Sequence, residues 1–270
     1  MHLDKKEYYI DGSVDLKIVQ ISDIHFSIDY NLKRLHKVLD YIDSVKPNYV
    51  CIVGDLIDEY DVVNTNYINY LKDWLRMLSY KYKVIISLGN HDFIVKKGRK
   101  YVEHDNILWL KELESDRLIV LNNEVYKDNG INFIGYNPDY TYYYIYHEKK
   151  SSKYFLELSD LIGNLKGYNI LLLHTPSIIT NNNISDLNVN LVLCGHTHGG
   201  LIPSFVSGNF GIVSPQKTFF PRAIRGMIKF DNFNLIISGG LIKLSRKSKI
   251  GCLNDVYGYN INVINIKKIS

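Results

Sequence analysis

The stretch Tyr49-Val50-Cys51-Ile52-Val53-Gly54-Asp55-Leu56-Ile57-Asp58 runs from unbroken apolar residues through a glycine into a carboxylate. Such a run reads as a strand buried on both faces, of the kind found inside a parallel or mixed sheet covered by helices. Four other segments share the form: Gln20-Ile21-Ser22-Asp23-Ile24-His25, Ser87-Leu88-Gly89-Asn90-His91-Asp92, Leu171-Leu172-Leu173-His174 and Leu193-Cys194-Gly195-His196-Thr197-His198. Five strand ends thus deliver Asp, Asn and His, and the carboxyl edge of an open α/β sheet is where ligands bind.

The surroundings of that stretch fit an α/β protein. Residues 16–21 read as a first strand, and Leu32, Leu35, Val38, Leu39, Ile42 and Val45 recur at helical spacing before Pro47 stops the helix. A second helical face follows in Ile68, Leu71, Trp74, Leu75 and Leu78, then a strand over 83–88. Residues 94–165 are less regular, with a short helix expected over 107–113 and strands over 118–121 and 131–134. The tyrosine-rich stretch 136–146 reads either as a lid facing substrate or as an irregular surface loop. After Gly200 the pattern is β, over 226–230, 234–237 and 260–266, which predicts a second sheet. The expectation is one domain over 1–270, with a lid or insert at about 94–165.

The 270 residues, 46% hydrophobic and 22% charged, suffice for a large core without staples. Three cysteines without C-x-x-C spacing exclude a disulfide framework or a cysteine zinc site, and a reducing compartment fits best. Cys51 and Cys194 lie in apolar runs, where a thiol serves as a small buried hydrophobe. The first seven residues mix charges without an apolar core, and no run reaches the roughly 20 apolar residues of a membrane span, so a soluble, cytoplasmic protein is expected. Net charge is only +4, yet residues 215–250 carry eight basic side chains against Asp231 alone. Interleaved with Phe219, Phe220, Ile224 and Met227, they form either a solvated face or a basic-apolar surface for peripheral contact with anionic lipid.

Taken together, Asp23-x-His25, Gly54-Asp55-x-x-Asp58, Gly89-Asn90-His91-Asp92, His174 and Gly195-His196-x-His198 resemble the motifs of the calcineurin-like metallophosphoesterases in order and spacing, over about residues 16–200. The run Gly195-His196-Thr197-His198-Gly199-Gly200 looks like a bacterial branch of that superfamily. Leu201 stands where many members of the branch have Gln, so the likeness bears on catalytic class and not on substrate. The resemblance implies a four-layer α/β sandwich, two mixed β-sheets packed face to face with helices outside. It also implies a two-metal hydrolase of phosphoesters in which a metal-bridging hydroxide attacks phosphorus. Asp23, His25 and His198 would hold one ion, Asn90, His174 and His196 the other, and Asp55 would bridge them.

Imidazole, carboxylate and amide oxygen without thiolate suit Mn, Fe, Zn or Co, with manganese the first expectation. His91 is the candidate to protonate the leaving oxygen or stabilise the developing charge, with Asp92 orienting its ring. Asp58 reads either as a partner of a ligand histidine or as a turn carboxylate. His36, His104 and His147 fall outside the pattern. The expected substrate is a phosphodiester or diphosphate, small or lipid-linked. A nuclease and a non-catalytic scaffold on the same fold are the other readings, and the sequence leaves oligomeric state open.

Overall fold

The computed structural model describes residues 2–58, 60–97, 100–103, 107–144, 152–180, 187–199, 202–203, 211–213, 224–241 and 259–269. Along the chain these form β1 (Leu3–Gly12), β2 (Leu16–Ile21), α1 (Lys33–Val45), β3 (Tyr49–Val53), α2 (Ile68–Lys81), β4 (Lys83–Ser87), α3 (Asn90–Phe93), β5 (Ile94–Lys97), β6 (Lys100–Glu103) and α4 (Leu108–Lys111). There follow β7 (Leu118–Leu121), β8 (Glu124–Asp128), β9 (Ile131–Tyr136), α5 (Tyr140–Tyr144), α6 (Ser152–Ile162), β10 (Tyr168–Leu173), α7 (Ser177–Thr180) and β11 (Leu191–Cys194). The last are β12 (Ile202–Pro203), β13 (Gly211–Val213), β14 (Gly226–Lys229), β15 (Asn234–Ile237) and β16 (Tyr259–Lys268).

Two six-stranded mixed sheets result, in the orders β1-β16-β2-β3-β4-β7 and β14-β15-β11-β10-β9-β8. Strands β2, β3, β4 and β7 run parallel, as do β9, β10, β11 and β15, so their carboxyl ends share an edge. Alternation along each strand sorts side chains between layers. In β3, Val50 and Ile52 pack with α1 and α2, while Tyr49, Cys51 and Val53 face the second sheet. In β10, Leu171 and Leu173 meet α5, α6 and α7, and Ile170 and Leu172 complete the layer between the sheets. This is the expected sandwich of helix, sheet, sheet, helix.

The helical faces read from spacing are the ones buried: Leu35, Val38, Leu39 and Ile42 on α1, and Ile68, Leu71, Trp74, Leu75 and Leu78 on α2. Trp74 Nε1 donates to Leu35 O at 2.9 Å and joins the two helices. Helix α1 ends at Lys46, left-handed at φ 51°, with Pro47 barring a further turn. Residues 94–165 supply more framework than their pattern announced. Strand β7 closes one sheet, β8 and β9 begin the other, and α6 covers it. Strand β1 also went unread, since Lys5, Lys6, Glu7 and Asp11 break its apolar pattern on a sheet edge. Among the described residues no helix is long and apolar enough to cross a membrane. Half of the stretch at 215–250, with six of its eight basic residues, lies outside the described residues.

One polar clamp crosses the apolar layer between the sheets. Gln20 on β2 donates from Nε2 to Cys194 O at 2.8 Å and accepts from Asn262 Nδ2 at 3.0 Å, all of it buried. Substituting Gln20→Leu keeps the bulk but leaves the Asn262 amide without that acceptor. We expect a loss of about 1–3 kcal/mol, read as a lower urea midpoint at unchanged m-value.

Candidate metal centre

The loops leaving β2 and β3 are zipped together before they reach the site. Asp23 N donates to Gly54 O, His25 N to Asp55 O and Phe26 N to Leu56 O, at 2.8–3.0 Å, and Gly54 N donates to Ser87 O at 3.0 Å. The backbone pays in conformation: among the described residues eight non-glycines have positive φ, and five are Asp23, His25, Asp55, His196 and His198. Left-handed positions of this kind cost about 1–3 kcal/mol each and persist where the surroundings over-determine them.

The donor atoms meet at Asp55. Its Oδ2 lies 3.4 Å from His25 Nε2 and 3.1 Å from His174 Nε2, while Asp23 Oδ1 lies 3.8–3.9 Å from His25 Nε2, His174 Nε2 and His198 Nδ1. Two trios, Asp23/His25/His198 and Asp55/His174/His196, each bring one ligand atom per residue within 4.8 Å of the others, and His25/Asp55/His91 forms a third. Asn90 is buried beside them, with its Nδ2 3.4 Å from Tyr144 OH.

The histidine tautomers are set from behind. His174 Nδ1 lies 2.9 Å from Val53 O, a carbonyl that can only accept, so Nδ1 carries the proton and Nε2 presents its lone pair to the centre. His25 Nδ1 lies 3.2 Å from Asp58 Oδ1, which has the same effect. His25 Nε2, His174 Nε2 and Asn90 Oδ1 are buried without a hydrogen-bond partner. Buried polar atoms are seldom left so, and histidine nitrogens converging on two carboxylates fit a divalent cation.

Asp92 corrects the sequence reading. It does not touch the His91 ring: Oδ1 accepts from Leu56 N at 2.8 Å and Ile57 N at 3.3 Å, and Oδ2 accepts from Gly89 N at 2.8 Å. It fastens the turn that follows Asp55 to the turn that carries Asn90 and His91. Burial, with the Asp55 charge adding to it, lifts its pKa to about 7. His91 is oriented instead by the Asp58 carbonyl, 2.7 Å from Nδ1, and by its own N–H on Asp55 Oδ1 at 2.9 Å. Its side chain is 37% exposed, at the mouth of the cluster. Tyr143, whose ring centroid is 5.6 Å from that of His196, and Tyr144 had no signal beyond the tyrosine run.

Without a cation, protons answer the carboxylates. Burial opposes a charged His174, but Asp55 and Asp23 outweigh it and push the pKa up to about 10. His25 is raised likewise, burial being overcome by the Asp58 hydrogen bond and by Asp55 and Asp23. Burial takes His198 the other way, down to about 4. A histidine must be neutral to ligate, so cation binding has to displace the His174 proton. A raised folded-state pKa gives stability that is complete below about pH 6.5 and is lost as pH rises towards about 10. We expect metal-stripped protein to lose thermal stability across that window and metal-loaded protein not to. Proton release on loading, followed with an indicator dye, checks the same point.

Two glycines let the turns approach. A Cβ on Gly89 would sit 2.3 Å from Asp55 Oδ1 and 2.5 Å from Asp55 N. One on Gly54, at φ +74°, would meet His174 Nδ1 at 2.4 Å. Gly89→Ala therefore pushes Asp55 out of place. We expect divalent-metal affinity to fall by about 10–100-fold, the range found when a ligand's support is removed, with far-UV circular dichroism unchanged, measured by equilibrium dialysis.

Residues 16–200 match the sequence pattern of the calcineurin-like phosphoesterases. Among curated proteins the chain is 30% identical over 204 residues to an uncharacterized metallophosphoesterase of Campylobacter jejuni, covering 71% of this chain and 46% of that protein. It is 28% identical over 211 residues to YkuE, an uncharacterized metallophosphoesterase of Bacillus subtilis, covering 74% and 64%. The chain thus spans less than two thirds of these relatives. Among solved structures, a dimetal phosphatase from Danio rerio superposes with a TM-score of 0.49 at 11% identity, over 85% of this chain and 89% of that one. A nuclease from Pseudomonas putida superposes with a TM-score of 0.40 at 13% identity, over 86% and 81%. Matched over more than half its length to the family pattern, this chain is a member of the calcineurin-like phosphoesterase family.

Proposed function

We propose that the chain is a metal-dependent hydrolase that cleaves a phosphodiester or diphosphate bond at a two-cation centre. The observation that carries this reading is the pair of donor trios joined through Asp55 Oδ2, which stands between His25 Nε2 and His174 Nε2. Asp23, His25 and His198 would hold one cation, Asn90, His174 and His196 the other, with Asp55 shared. Such ions supply positive charge to phosphoryl oxygens and a nucleophile at neutral pH.

The chain's own residues do the rest. Val53 O and Asp58 fix the rings of His174 and His25, so the donor set is formed before anything binds. His91 Nδ1–H is committed to Asp58 O, which leaves Nε2 to face substrate at the mouth. As the imidazolium, supported by Asp58 Oδ1 at 4.0 Å, it gives its Nε2 proton to the departing oxygen. Burial of Asp23 and Asp55 excludes water that would screen these charges.

The test is hydrolysis of bis-p-nitrophenyl phosphate and p-nitrophenyl phosphate by stripped protein titrated with Mn, Zn, Fe or Co. Diester cleavage should require metal and vanish in Asp55→Asn. His91→Gln should keep its metals yet lose about 10²–10⁴-fold in kcat, the contribution of a positioned acid. Undiminished turnover in His91→Gln overturns its role, and cleavage of monoesters alone overturns the diester assignment.

A further inference from the structure

Helix α5 is anchored at its start. Asp139 Oδ1 accepts from Thr141 N at 2.9 Å and Tyr142 N at 3.3 Å, amides that a first helical turn leaves unpaired, and from Tyr154 OH of α6 at 2.8 Å. Lys153 Nζ, 3.7 Å from the Asp139 carboxylate, balances its charge. From that anchor Tyr142, Tyr143 and Tyr144 follow one another, and consecutive residues of a helix are turned by about 100°. The tyrosine run therefore fans three rings in three directions from a fixed stem. Each ring is flat and stiff, and a buried tyrosine hydroxyl usually finds a hydrogen-bond partner.

Each direction ends on a different segment of one donor set. Tyr144 OH accepts from Asn90 Nδ2 at 3.4 Å, so the amide nitrogen is engaged while Oδ1, the end with lone pairs to give, is buried without a hydrogen-bond partner. The Tyr143 ring meets the His196 ring edge-on, with centroids 5.6 Å apart and planes at 62°. Tyr142, wholly buried, reaches Ser177 Oγ at 2.7 Å, and Ser177 Oγ lies 2.7 Å from Thr175 Oγ1, on the residue after His174. Asn90, His174 and His196 are the three residues assigned above to one cation. The rings also brace one another, Tyr143 standing at 82° to Tyr142 with centroids 5.6 Å apart. Asp23 and His25, on the other cation, are held by different groups, Ser22 Oγ and Asp58.

We infer that Tyr142, Tyr143 and Tyr144 are positioning residues for the Asn90/His174/His196 cation, an assignment that rests on the two-cation reading given above. Helix α5 then sets the affinity of one ion of the pair and leaves the other to Ser22 and Asp58.

Manganese binding to the full chain, followed by equilibrium dialysis, tests this without turnover. Tyr144→Phe keeps the ring and removes the oxygen that Asn90 Nδ2 uses. We expect one of two Mn sites to weaken by about tenfold and the other to stay within about twofold. Tenfold is the lower end of what loss of a ligand's support costs, as befits a hydrogen bond as long as 3.4 Å. Tyr142→Phe and Tyr143→Leu should weaken the same site. In a His25→Ala chain, which lacks a ligand of the other ion, the Tyr144→Phe effect should persist. In an Asn90→Ala chain it should shrink to less than about twofold, because Tyr144 acts through the Asn90 amide, a coupling that general loosening of the fold does not produce. Unchanged affinity at both sites in Tyr144→Phe, equal weakening of both, or a tenfold effect that survives in Asn90→Ala overturns the assignment. A chain that binds two Mn in the expected pattern yet cleaves no phosphoester leaves the assignment standing and overturns the hydrolase reading.

Discussion

Asp23 and Asp55, at 0% and 1% exposure, stand side by side where the two sheets meet, and the rest of the centre answers their charge. A buried carboxylate without a counter-charge costs several kcal/mol. Here three histidine nitrogens approach Asp23 Oδ1 and two approach Asp55 Oδ2, and backbone N–H groups of His196 and His91 hold the carboxylates from the other side. Those histidines pull Asp55 well below the ordinary carboxylate range in spite of burial. Asp55 therefore stays ionised, and a buried ionised carboxylate ringed by histidine nitrogens is an arrangement suited to a cation.

That requirement explains where the backbone is strained. Donors from strands of two different sheets can converge only if each chain turns sharply as its strand ends. Left-handed residues at Asp23, His25, Asp55, His196 and His198 make those turns, and the hydrogen bonds between successive loops hold them. The sheets behind supply the rigidity. Their shared layer, from Ile18 and Cys51 to Leu172 and Leu193, is apolar and fully buried, so the strand ends have no freedom to drift apart.

The clustering of Asp23, His25, Asp55, His174, His196 and His198 was legible in the sequence because polar residues of these types directly follow buried strands, and both signals are local. Helices α1 and α2 were legible for the same reason, since each shows one clean apolar face. Legibility failed where a feature depends on partners distant in sequence. Nothing local marks β1 as a strand, because its stability comes from a ten-residue parallel register with β16 at the far end of the chain. Asp92 looked like a neighbour for His91, but at the start of a short helix consecutive side chains point in different directions, and its carboxylate turned inward to the Leu56 and Ile57 amides. Tyr142 belongs to the run that reads as either a lid or a surface loop, yet it is buried against Tyr154.

The four residues Gly89, Asn90, His91 and Asp92 show how little chain can carry several constraints at once. Gly89 leaves room for Asp55, and Asn90 is buried with its Oδ1 unpartnered. His91 gives its backbone N–H to Asp55 and its ring to the mouth, while Asp92 ties the turn back to the loop that carries Asp55. Asp58 completes the circuit by using its side chain on His25 and its carbonyl on His91. The half-exposed His91 ring and the buried His25 ring are thus held by one residue, so neither can shift without the other. The exposed end of the assembly inherits its geometry from the buried end, which is how a half-exposed imidazole on a loop keeps a fixed bearing on the centre.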